Sequence, residues 1–253
     1  MIEGVLLDLS GVLYVGDGPL AGAHEAIRRL IDAGVPMRFV TNTTRSPRAA
    51  ILNKLARMRF SVSDETLFTA PQAAAAYVEK SGLHPYLLIH PDLRGEFRAH
   101  PPEVWDAVLI GDAGAEFTYG NLNAAFRLVF DGMPLLAMGY NKYFKEADGH
   151  SLDIGPFVAA LEFAAGTRAK VLGKPAAEFF EAAAASLGCK PEHAVMIGDD
   201  AEADVDGAID AGLQGLLVRT GKYRKGDEDR IDPGAITVAD IVAAVEWILT
   251  NRA

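Results

Sequence analysis

The feature that most constrains this chain is its first apolar run, which carries an aspartate near its end. Residues 5–9 read Val-Leu-Leu-Asp-Leu, and Ser10-Gly11 then breaks the run. A continuous run of valine and leucine is typical of a strand buried on both faces of a parallel sheet. Open α/β sheets bind their ligands at the carboxyl ends of such strands. We therefore expect Asp8 to lie at the mouth of a ligand-binding crevice.

Strand and helix patterns alternate along the chain. Ala21–Ala33 reads as an amphipathic helix with Ala23, Ile27, Leu30 and Ile31 on one side, and Met37–Val40 reads as the next strand. Near the end, a helix at Ala176–Ser186 precedes an apolar strand at Ala194–Ile197, and a further helix is expected at Ala203–Ala211. This order implies right-handed crossovers, so the sequence predicts an α/β protein with a Rossmann-like parallel-sheet core.

The middle of the chain reads as an α/β unit of its own, inserted into that core. Its strands and helices start after Pro85 and end near Gly166, two residue types that mark boundaries. The pattern of the core resumes at Lys170, with Val171-Leu172 assigned to it. We predict a first core segment at residues 1–83, an inserted domain at 84–168 and a second core segment at 169–253.

Composition excludes several classes of protein. The net charge of −10 argues against nucleic acid or an acidic membrane as the main partner. No apolar run approaches the roughly 20 residues of a membrane span. The start of the chain lacks the pattern of a signal peptide, and Cys189 is the single cysteine. We therefore expect a cytoplasmic protein without disulfides.

Reactive side chains stand at the ends of four predicted strands. They are Asp8, Thr41-Asn42, Lys174 and Asp199-Asp200. Each alone has an ordinary structural explanation, as a turn residue, a helix cap or a surface lysine. All four at one edge of a parallel sheet are much less expected by chance.

Together these residues make a coherent chemistry. Asp8 and Asp199 offer the hard oxygen ligands that Mg2+ prefers, beside water and substrate phosphate oxygens. Lys174 adds a positive charge for a transferring phosphoryl group. Asp8 is then placed to attack phosphorus and form an aspartyl-phosphate, a known form of carboxylate catalysis. The metal would offset the repulsion between an anionic nucleophile and an anionic substrate.

The same segments resemble the four ordered motifs of the haloacid dehalogenase (HAD) superfamily. The matching stretches are residues 8–13 (Asp-Leu-Ser-Gly-Val-Leu), 40–42 (Val-Thr-Asn), 173–175 (Gly-Lys-Pro) and 198–200 (Gly-Asp-Asp) followed by Asp204. The insertion between the second and third motifs resembles the type-2 cap of that superfamily. Further stretches, among them residues 39–44, 194–200 and 220–223, resemble one branch of it.

The resemblance implies a role for each matched residue. It implies that Asp8 is the nucleophile and a Mg2+ ligand, that residue 10, here Ser10, binds Mg2+ through its backbone carbonyl, and that Asp199 is the third protein ligand. It implies that Thr41, Asn42 and Lys174 hold the phosphate. Asp204 would hold Lys174 or the metal-bound waters without binding the metal itself. Asp200, next to the ligand Asp199, would be a further contributor to the site.

The chain departs from the superfamily at Ser10. Most phosphatases of the superfamily carry a second aspartate there, which protonates the leaving group and then activates water. Serine cannot do this near neutral pH, and such assistance is typically worth ~10²–10⁴-fold in rate. One interpretation is a weakened or inactive enzyme. The other is a substrate whose leaving group needs little help, such as a phosphoramidate, pyrophosphate or an aryl phosphate. The branch shares this serine, which favours the second interpretation.

Substrate selection and assembly are expected to depend on the cap. His90, Asn123 and Tyr143 are polar cap residues, but each has a stronger structural explanation and we do not assign them to the site. The expected ligand is a small phosphorylated molecule or a phospho-amino acid. Because type-2 caps often mediate dimers in the superfamily, a homodimer is expected.

Other functions fit less well. Residues 16–21 (Gly-Asp-Gly-Pro-Leu-Ala) formally match a dinucleotide-binding fingerprint, but the match lies several residues past the strand and contains Pro19. No pair of histidines has metalloprotease spacing, and no Walker-type loop is present. The serious rival is a non-catalytic phospho-ligand-binding protein on the same fold. Retention of Asp8, Lys174 and Asp199 favours the enzyme.

Overall fold

The computed structural model describes residues 2–145 and 149–252. Its contacts divide the chain into two compact units. The first unit comprises Met1–Thr41, Leu52–Phe68 and Lys174–Ala253, and the second comprises Asn42–Ile51 and Thr69–Gly173. The predicted core segments begin at Met1 and end at Ala253, and these two residues lie outside the described part of the chain. The predicted domain boundaries at residues 84 and 169 stay a prediction.

The strands, in chain order, are β1 (Gly4–Asp8), β2 (Tyr14–Val15), β3 (Gly18–Pro19), β4 (Met37–Thr41), β5 (Leu67–Thr69), β6 (Pro85–Leu88), β7 (Ala107–Ile110), β8 (Leu135–Ala137), β9 (Tyr143–Lys145), β10 (His150–Leu152), β11 (Lys170–Val171), β12 (Ala194–Gly198), β13 (Gln214–Val218) and β14 (Ile236–Val238). The α-helices are α1 (Ala23–Asp32), α2 (Arg48–Arg57), α3 (Ala70–Ser81), α4 (Tyr119–Phe130), α5 (Ile154–Ala165), α6 (Ala177–Leu187), α7 (Gly207–Asp210) and α8 (Ile241–Asn251).

The first unit is built on a six-stranded sheet in the order β14-β13-β12-β1-β4-β5. β1 pairs in parallel with β12 and β4, and β13 pairs in parallel with β12 and β14. Every residue of β1 and β12 is buried. A strand buried on both faces needs apolar side chains in both directions, which explains the continuous Val/Leu run. The predicted parallel-sheet α/β fold is confirmed.

The register of this sheet brings several strand ends to one edge. Asp8, at the end of β1, pairs with Val40, so Thr41 is the next residue of β4. On the other side, Leu7 pairs with Ile197, and Gly198 pairs with Leu217 of β13. Asp199 therefore follows β12 at the same edge as Asp8.

The helices of the first unit pack in pairs. α1 contacts α8, while α6 contacts α7 as well as β1 and β4. The buried stripe of α1 is Ala23, Ala26, Ile27 and Leu30. Ile31, which the sequence pattern places on the apolar side of the helix, is 56% exposed and does not belong to that stripe.

The second unit has its own four-stranded parallel sheet, in the order β11-β8-β7-β6. α4 packs on β6, β7 and α5, and β9 pairs with β10 in an antiparallel hairpin. The short strand β11 differs from expectation. Val171 was assigned to the returning core pattern, but it pairs with Ala137 of β8 in this sheet. So short an apolar run does not identify its partner strand.

The segment after β12 also differs from the expected regular helix at Ala203–Ala211. It starts as a π-helical segment, Ala201–Asp206, and only then continues as α7. The carboxylate of Asp200 caps it by accepting a hydrogen bond from the Ala203 N–H at 3.0 Å. π-helical turns inside helices are rare and occur frequently at functional sites.

Among the helices of the described residues, none is both long enough and apolar enough to cross a membrane.

Candidate active site

A buried lysine joins two aspartates at the edge of the six-stranded sheet. The Lys174 ammonium lies 2.6 Å from Asp8 Oδ1 and 2.6 Å from Asp204 Oδ1. The side chain of Lys174 is only 3% exposed, and those of Asp8 and Asp204 are 10% and 2% exposed. Burial lowers the pKa of Lys174, but the charges of Asp204 and Asp8 outweigh it and the net effect raises that pKa. Lys174 is therefore a fixed positive charge beside Asp8.

The sequence around β12 creates the space for Asp204. A side chain at Gly198 would place its Cβ 2.2 Å from the Asp204 Cβ, a distance that real structures do not allow. The π-helical segment that follows turns Asp204 back towards the strand end. There its Oδ2 accepts a hydrogen bond from the Asp200 N–H at 3.1 Å.

Asp199 is enclosed by two glycines. It lies between Gly11 and Gly221, where a Cβ at either position would stand 2.0 Å from Asp199 Oδ2. Both glycines also have positive φ, +87° and +61°, which side-chain-bearing residues rarely adopt. The Lys222 N–H donates a hydrogen bond to Asp199 Oδ2 at 2.6 Å.

The three carboxylates are close enough to share a cation. One oxygen each from Asp8, Asp199 and Asp204 lies within 4.8 Å of the others, and all three residues are buried. Burial first, then the charge of Asp8, raises the pKa of Asp199 well above its usual range. Burial and Asp8 also raise the pKa of Asp204 to about 6, against the opposing effect of Lys174. Crowded buried carboxylates that resist ionisation are a donor set that fits a divalent cation.

The three carboxylates differ in how many of their oxygens accept hydrogen bonds. Both oxygens of Asp204 are engaged, one by Lys174 and the other by the Asp200 N–H. Within residues 2–145 and 149–252, Asp8 Oδ2 and Asp199 Oδ1 accept no hydrogen bond. Asp8 and Asp199 thus fit the predicted ligand positions, and Asp204 fits the predicted supporting position.

The remaining predicted site residues are placed as follows. Thr41 is buried at the end of β4, and Ser10 is exposed two residues after Asp8, in a backbone bridge with Tyr14. Asp200 is half-buried at the start of the π-helical segment. Asn42 belongs to the second unit, where its Nδ2 donates to Asn141 Oδ1 at 2.8 Å. The first unit therefore brings together Asp8, Lys174, Asp199, Asp200 and Asp204.

Sequence reasoning gave no role to the loop after β13. Thr220 Oγ1 donates a hydrogen bond to the Gly11 carbonyl, and the Lys222 ammonium lies 3.1 Å from Asp200 Oδ2. The sequence signal was the match of residues 220–223 to the branch, to which no role was assigned. In the structure β13 is the parallel neighbour of β12, so the loop after it lies at the same edge.

The second unit holds an ion pair that sequence reasoning also missed. Arg45 Nε lies 2.6 Å from Asp112 Oδ2, and the Arg45 guanidinium is 4.5 Å from the centre of the Phe144 ring. Asp112 follows β7 by two residues, so it was one more aspartate near a strand end. Its backbone N–H donates to Thr44 Oγ1 at 2.9 Å.

The polar cap residues that we left unassigned have structural contacts. His90 Nδ1 accepts a hydrogen bond from the Asp92 N–H at 3.3 Å. The Tyr143 ring packs edge-on against His150, with the ring centres 5.3 Å apart. These contacts agree with the structural explanation for both residues.

Comparisons with known proteins identify the family of this chain. Residues 5–101 match the family model for haloacid dehalogenase-like hydrolases, and residues 171–245 match a second, HAD-hydrolase-like model. Haloacid dehalogenase-like hydrolase domain-containing protein 2 of Bos taurus is 45% identical over 255 residues, covering 99% of this chain and 97% of the relative. Phospholysine phosphohistidine inorganic pyrophosphate phosphatase of Danio rerio is 42% identical over 260 residues, covering 99% and 96%.

A solved structure extends the comparison to the fold. The glycerol phosphate phosphatase of Mycobacterium tuberculosis, determined in complex with magnesium, superposes with a TM-score of 0.84 at 25% sequence identity. The match covers 96% of this chain and 76% of that one. With a buried aspartate–lysine–aspartate cluster at the end of a parallel sheet and relatives of this identity over nearly the whole chain, the protein belongs to the haloacid dehalogenase-like hydrolase family.

Proposed function

We propose that this hydrolase is a Mg2+-dependent phosphatase that acts through an aspartyl-phosphate on Asp8. The observation that carries the proposal is the Lys174 ammonium, which is bonded to both Asp8 and Asp204 in a buried cluster that also contains Asp199. A buried cation beside a carboxylate that retains an unbonded oxygen is suited to phosphoryl transfer, because it balances negative charge as the two anions approach.

The metal assignment rests on the donor set. Asp8 and Asp199 would hold Mg2+, together with the backbone carbonyl of residue 10. When bound, Mg2+ would supply electrostatic stabilisation of the phosphoryl oxygens. The magnesium complex of the glycerol phosphate phosphatase that shares the fold supports this choice of metal.

In the first step, one carboxylate oxygen of Asp8 attacks phosphorus. An O–P bond forms to Asp8, and the bond from phosphorus to the leaving group breaks with its electron pair. Lys174 holds the Asp8 carboxylate in position, and Thr41 with Asn42 would bind the phosphate oxygens. In the second step, water attacks phosphorus and gives up a proton to the solvent. The O–P bond to Asp8 breaks with its electron pair going to the carboxylate, which releases phosphate and restores Asp8.

Ser10 narrows the class of substrate. Without an acid at this position, the leaving group must depart with little protonation from the protein. Phosphoramidates, pyrophosphate and aryl phosphates meet that condition better than alkyl phosphate esters. The name of the Danio rerio relative, a phospholysine, phosphohistidine and pyrophosphate phosphatase, agrees with this preference. We infer a small phosphorylated substrate or a phospho-amino acid with an N–P or P–O–P bond.

A substrate panel tests the proposal. Phosphate release is measured from p-nitrophenyl phosphate, pyrophosphate, imidodiphosphate, phosphohistidine and a sugar phosphate, each with Mg2+ and with EDTA, for wild type and Asp8→Asn. We expect metal-dependent release that is lost in Asp8→Asn, with the sugar phosphate slowest. Faster turnover of the sugar phosphate would contradict the substrate class. Absence of release from every compound, with Mg2+ binding intact, would favour the phospho-ligand-binding protein.

Trapping the covalent intermediate tests the mechanism separately. Acid quenching during turnover of a 32P-labelled substrate should leave acid-stable label on the wild-type chain and none on Asp8→Asn. Label that persists on Asp8→Asn would assign the nucleophile to another residue.

The oligomeric state and the cellular location stay predictions. We infer a homodimer and a cytoplasmic location. Light scattering on the purified chain tests the first, since a mass of 27.0 kDa would identify a monomer.

A further inference from the structure

The loop after β13 contacts the proposed metal site at three points. Thr220 Oγ1 donates to the Gly11 carbonyl, the Lys222 N–H donates to Asp199 Oδ2 at 2.6 Å, and the Lys222 ammonium lies 3.1 Å from Asp200 Oδ2. We call Thr220–Lys222 the clamp loop. Its contacts reach both sides of Asp199, namely the segment after β1 and the residue that follows Asp199.

Gly221 lets the clamp loop approach so closely. A Cβ at this position would lie 2.0 Å from Asp199 Oδ2 and 2.5 Å from the Gly11 Cα. Gly11 faces the same oxygen from the other side, with its own Cβ position also 2.0 Å away. Asp199 Oδ2 is therefore enclosed by two glycines and bonded to the clamp loop, which leaves Oδ1 as the oxygen that can face a cation.

The Lys222 side chain connects the clamp loop, through Asp200, to Asp204. Asp200 accepts the Lys222 ammonium on one oxygen and the Ala203 N–H on the other. The Asp200 N–H in turn donates to Asp204 Oδ2. A chain of polar contacts thus runs from Lys222 through Asp200 to Asp204 and Lys174.

We propose that Lys222 is a positioning residue, which fixes the Asp199 carboxylate for the metal through its backbone N–H and anchors the clamp loop through its ammonium. This inference rests on the proposed function, because it concerns how the same site holds Mg2+. Lys222 itself touches neither substrate nor metal in this assignment.

Positioning and simple electrostatics predict opposite effects for loss of the Lys222 charge. If Lys222 acted only as a nearby cation, its removal would make the site more negative and Mg2+ would bind more tightly. If it positions Asp199, its removal loosens the clamp loop and Mg2+ binds more weakly. Loss of a group that orients a metal ligand typically costs about 10–100-fold in metal affinity.

The experiment measures Mg2+ binding by isothermal titration calorimetry on metal-free full-length protein. We expect Lys222→Met to raise the Mg2+ dissociation constant about 10-fold, and Lys222→Arg to restore most of the affinity. Lys225→Met is the matched control, because it removes the same charge from an exposed lysine three residues further along. Its dissociation constant should stay within about twofold of the wild-type value, as expected for a distant solvated charge.

The kinetic readout separates positioning from a loss of folding. For Lys222→Met, the Mg2+ concentration that gives half-maximal activity should rise in parallel with the dissociation constant, and saturating Mg2+ should recover most of kcat. A purely structural role would lower the melting temperature without moving the Mg2+ dissociation constant. That result, or tighter Mg2+ binding by Lys222→Met, would overturn the inference.

A backbone variant tests the other half of the clamp. Gly221→Ala should weaken Mg2+ binding more than Lys222→Met, because its Cβ would displace Asp199 Oδ2. Gly34→Ala is the control for backbone strain, since Gly34 has φ +63° and nothing within 4 Å of its Cβ position. Equal Mg2+ affinities for Gly221→Ala and Gly34→Ala would contradict the backbone role of the clamp loop.

The outcomes distinguish this inference from the proposed function. A wild-type protein that binds no Mg2+ by calorimetry would overturn the metal requirement and this inference with it. A wild-type protein that binds Mg2+ and turns over substrate, with a Lys222→Met variant that binds Mg2+ at least as tightly, would overturn the role of Lys222 alone.

Discussion

Lys174 shows how one buried residue links stability to chemistry. Its ammonium compensates two carboxylates that burial would otherwise disfavour, Asp8 and Asp204. Removing one partner of a buried ion pair leaves an uncompensated charge, which is far more costly than losing an exposed pair. The contact that holds Asp8, the proposed nucleophile, therefore also stabilises the folded chain.

We expect Lys174→Met to abolish turnover and to lower the free energy of unfolding by about 3–5 kcal/mol. Urea denaturation in EDTA measures the stability, so that no metal replaces the lost charge. Lys190→Met is the control, because its ammonium is 3.8 Å from Glu192 and its side chain is 76% exposed. This control should change stability by less than about 1 kcal/mol. Equal losses in the two variants would contradict the compensating role of Lys174.

Ser10 is the residue that we expect to set the leaving-group preference. Its side chain is exposed two residues beyond Asp8, so an aspartate there has room and solvent contact. Ser10→Asp should raise kcat/KM on a sugar phosphate by about 100-fold, the lower end of general acid–base assistance. The gain on p-nitrophenyl phosphate should be much smaller, because that leaving group departs without a proton.

Ser10→Asn provides the matched comparison for this prediction. It has nearly the size of aspartate but cannot donate an acidic proton, so it should leave the sugar phosphate as slow as in wild type. A similar gain in both variants would indicate a steric effect rather than acid catalysis.

At the scale of elements, strand β12 and the π-helical segment after it together position Asp204. The strand ends at Gly198, and the segment returns Asp204 to within contact of that glycine. The absence of a side chain at Gly198 leaves the space that Asp204 occupies when it bonds to Lys174.

Gly198→Ala tests this packing. Its Cβ would collide with Asp204, so we expect a loss of about 1–3 kcal/mol in the free energy of unfolding, typical of overpacking in a buried site, together with a loss of activity. Gly18→Ala is the control in an exposed strand, where the nearest atom to the Cβ position is the Val15 carbonyl oxygen at 3.9 Å. Its stability, from the same urea titration, should stay close to that of wild type. Unchanged stability in Gly198→Ala would show that Asp204 moves without cost.

At the scale of the whole molecule, the site joins segments that lie far apart in the chain. Asp8 and Lys174 are separated by 166 residues, and the clamp loop lies 209 residues beyond Gly11 at Thr220. A cation bound by Asp8 and Asp199 would link these segments only in the folded state. Metal binding should therefore stabilise the fold.

We expect Mg2+ to raise the melting temperature of the wild-type protein. A concentration 100 times the dissociation constant contributes about 2.7 kcal/mol, which corresponds to roughly 5–10 °C for a chain of this size. EDTA should reverse the shift, and Asp199→Asn should reduce it strongly. Differential scanning calorimetry measures all three. A shift of equal size in Asp199→Asn would place the cation elsewhere.

The sequence by itself determined the class of fold and predicted which strand ends carry the candidate site. Continuous apolar runs identify β1 and β12 as buried parallel strands, and the residues at their ends follow from the common direction of the strands. These are local properties of consecutive residues, so Asp8 and Asp199 could be predicted at one sheet edge before any contact was known. The roles of Lys174 and Asp204 depended on the resemblance to the superfamily, because the short strand before Lys174 pairs in the other sheet.

Only the tertiary structure decided which atom meets which. Three contacts join residues from separate elements. They are the bonds of Lys174 to its two aspartates, the hydrogen bond from the Lys222 N–H to Asp199 Oδ2, and the pairing of Val171 with Ala137. The burial of one face of α1 but not of Ile31 depends likewise on the neighbouring elements. Periodicity and propensity describe residues near one another in the chain, whereas these contacts depend on how distant segments pack.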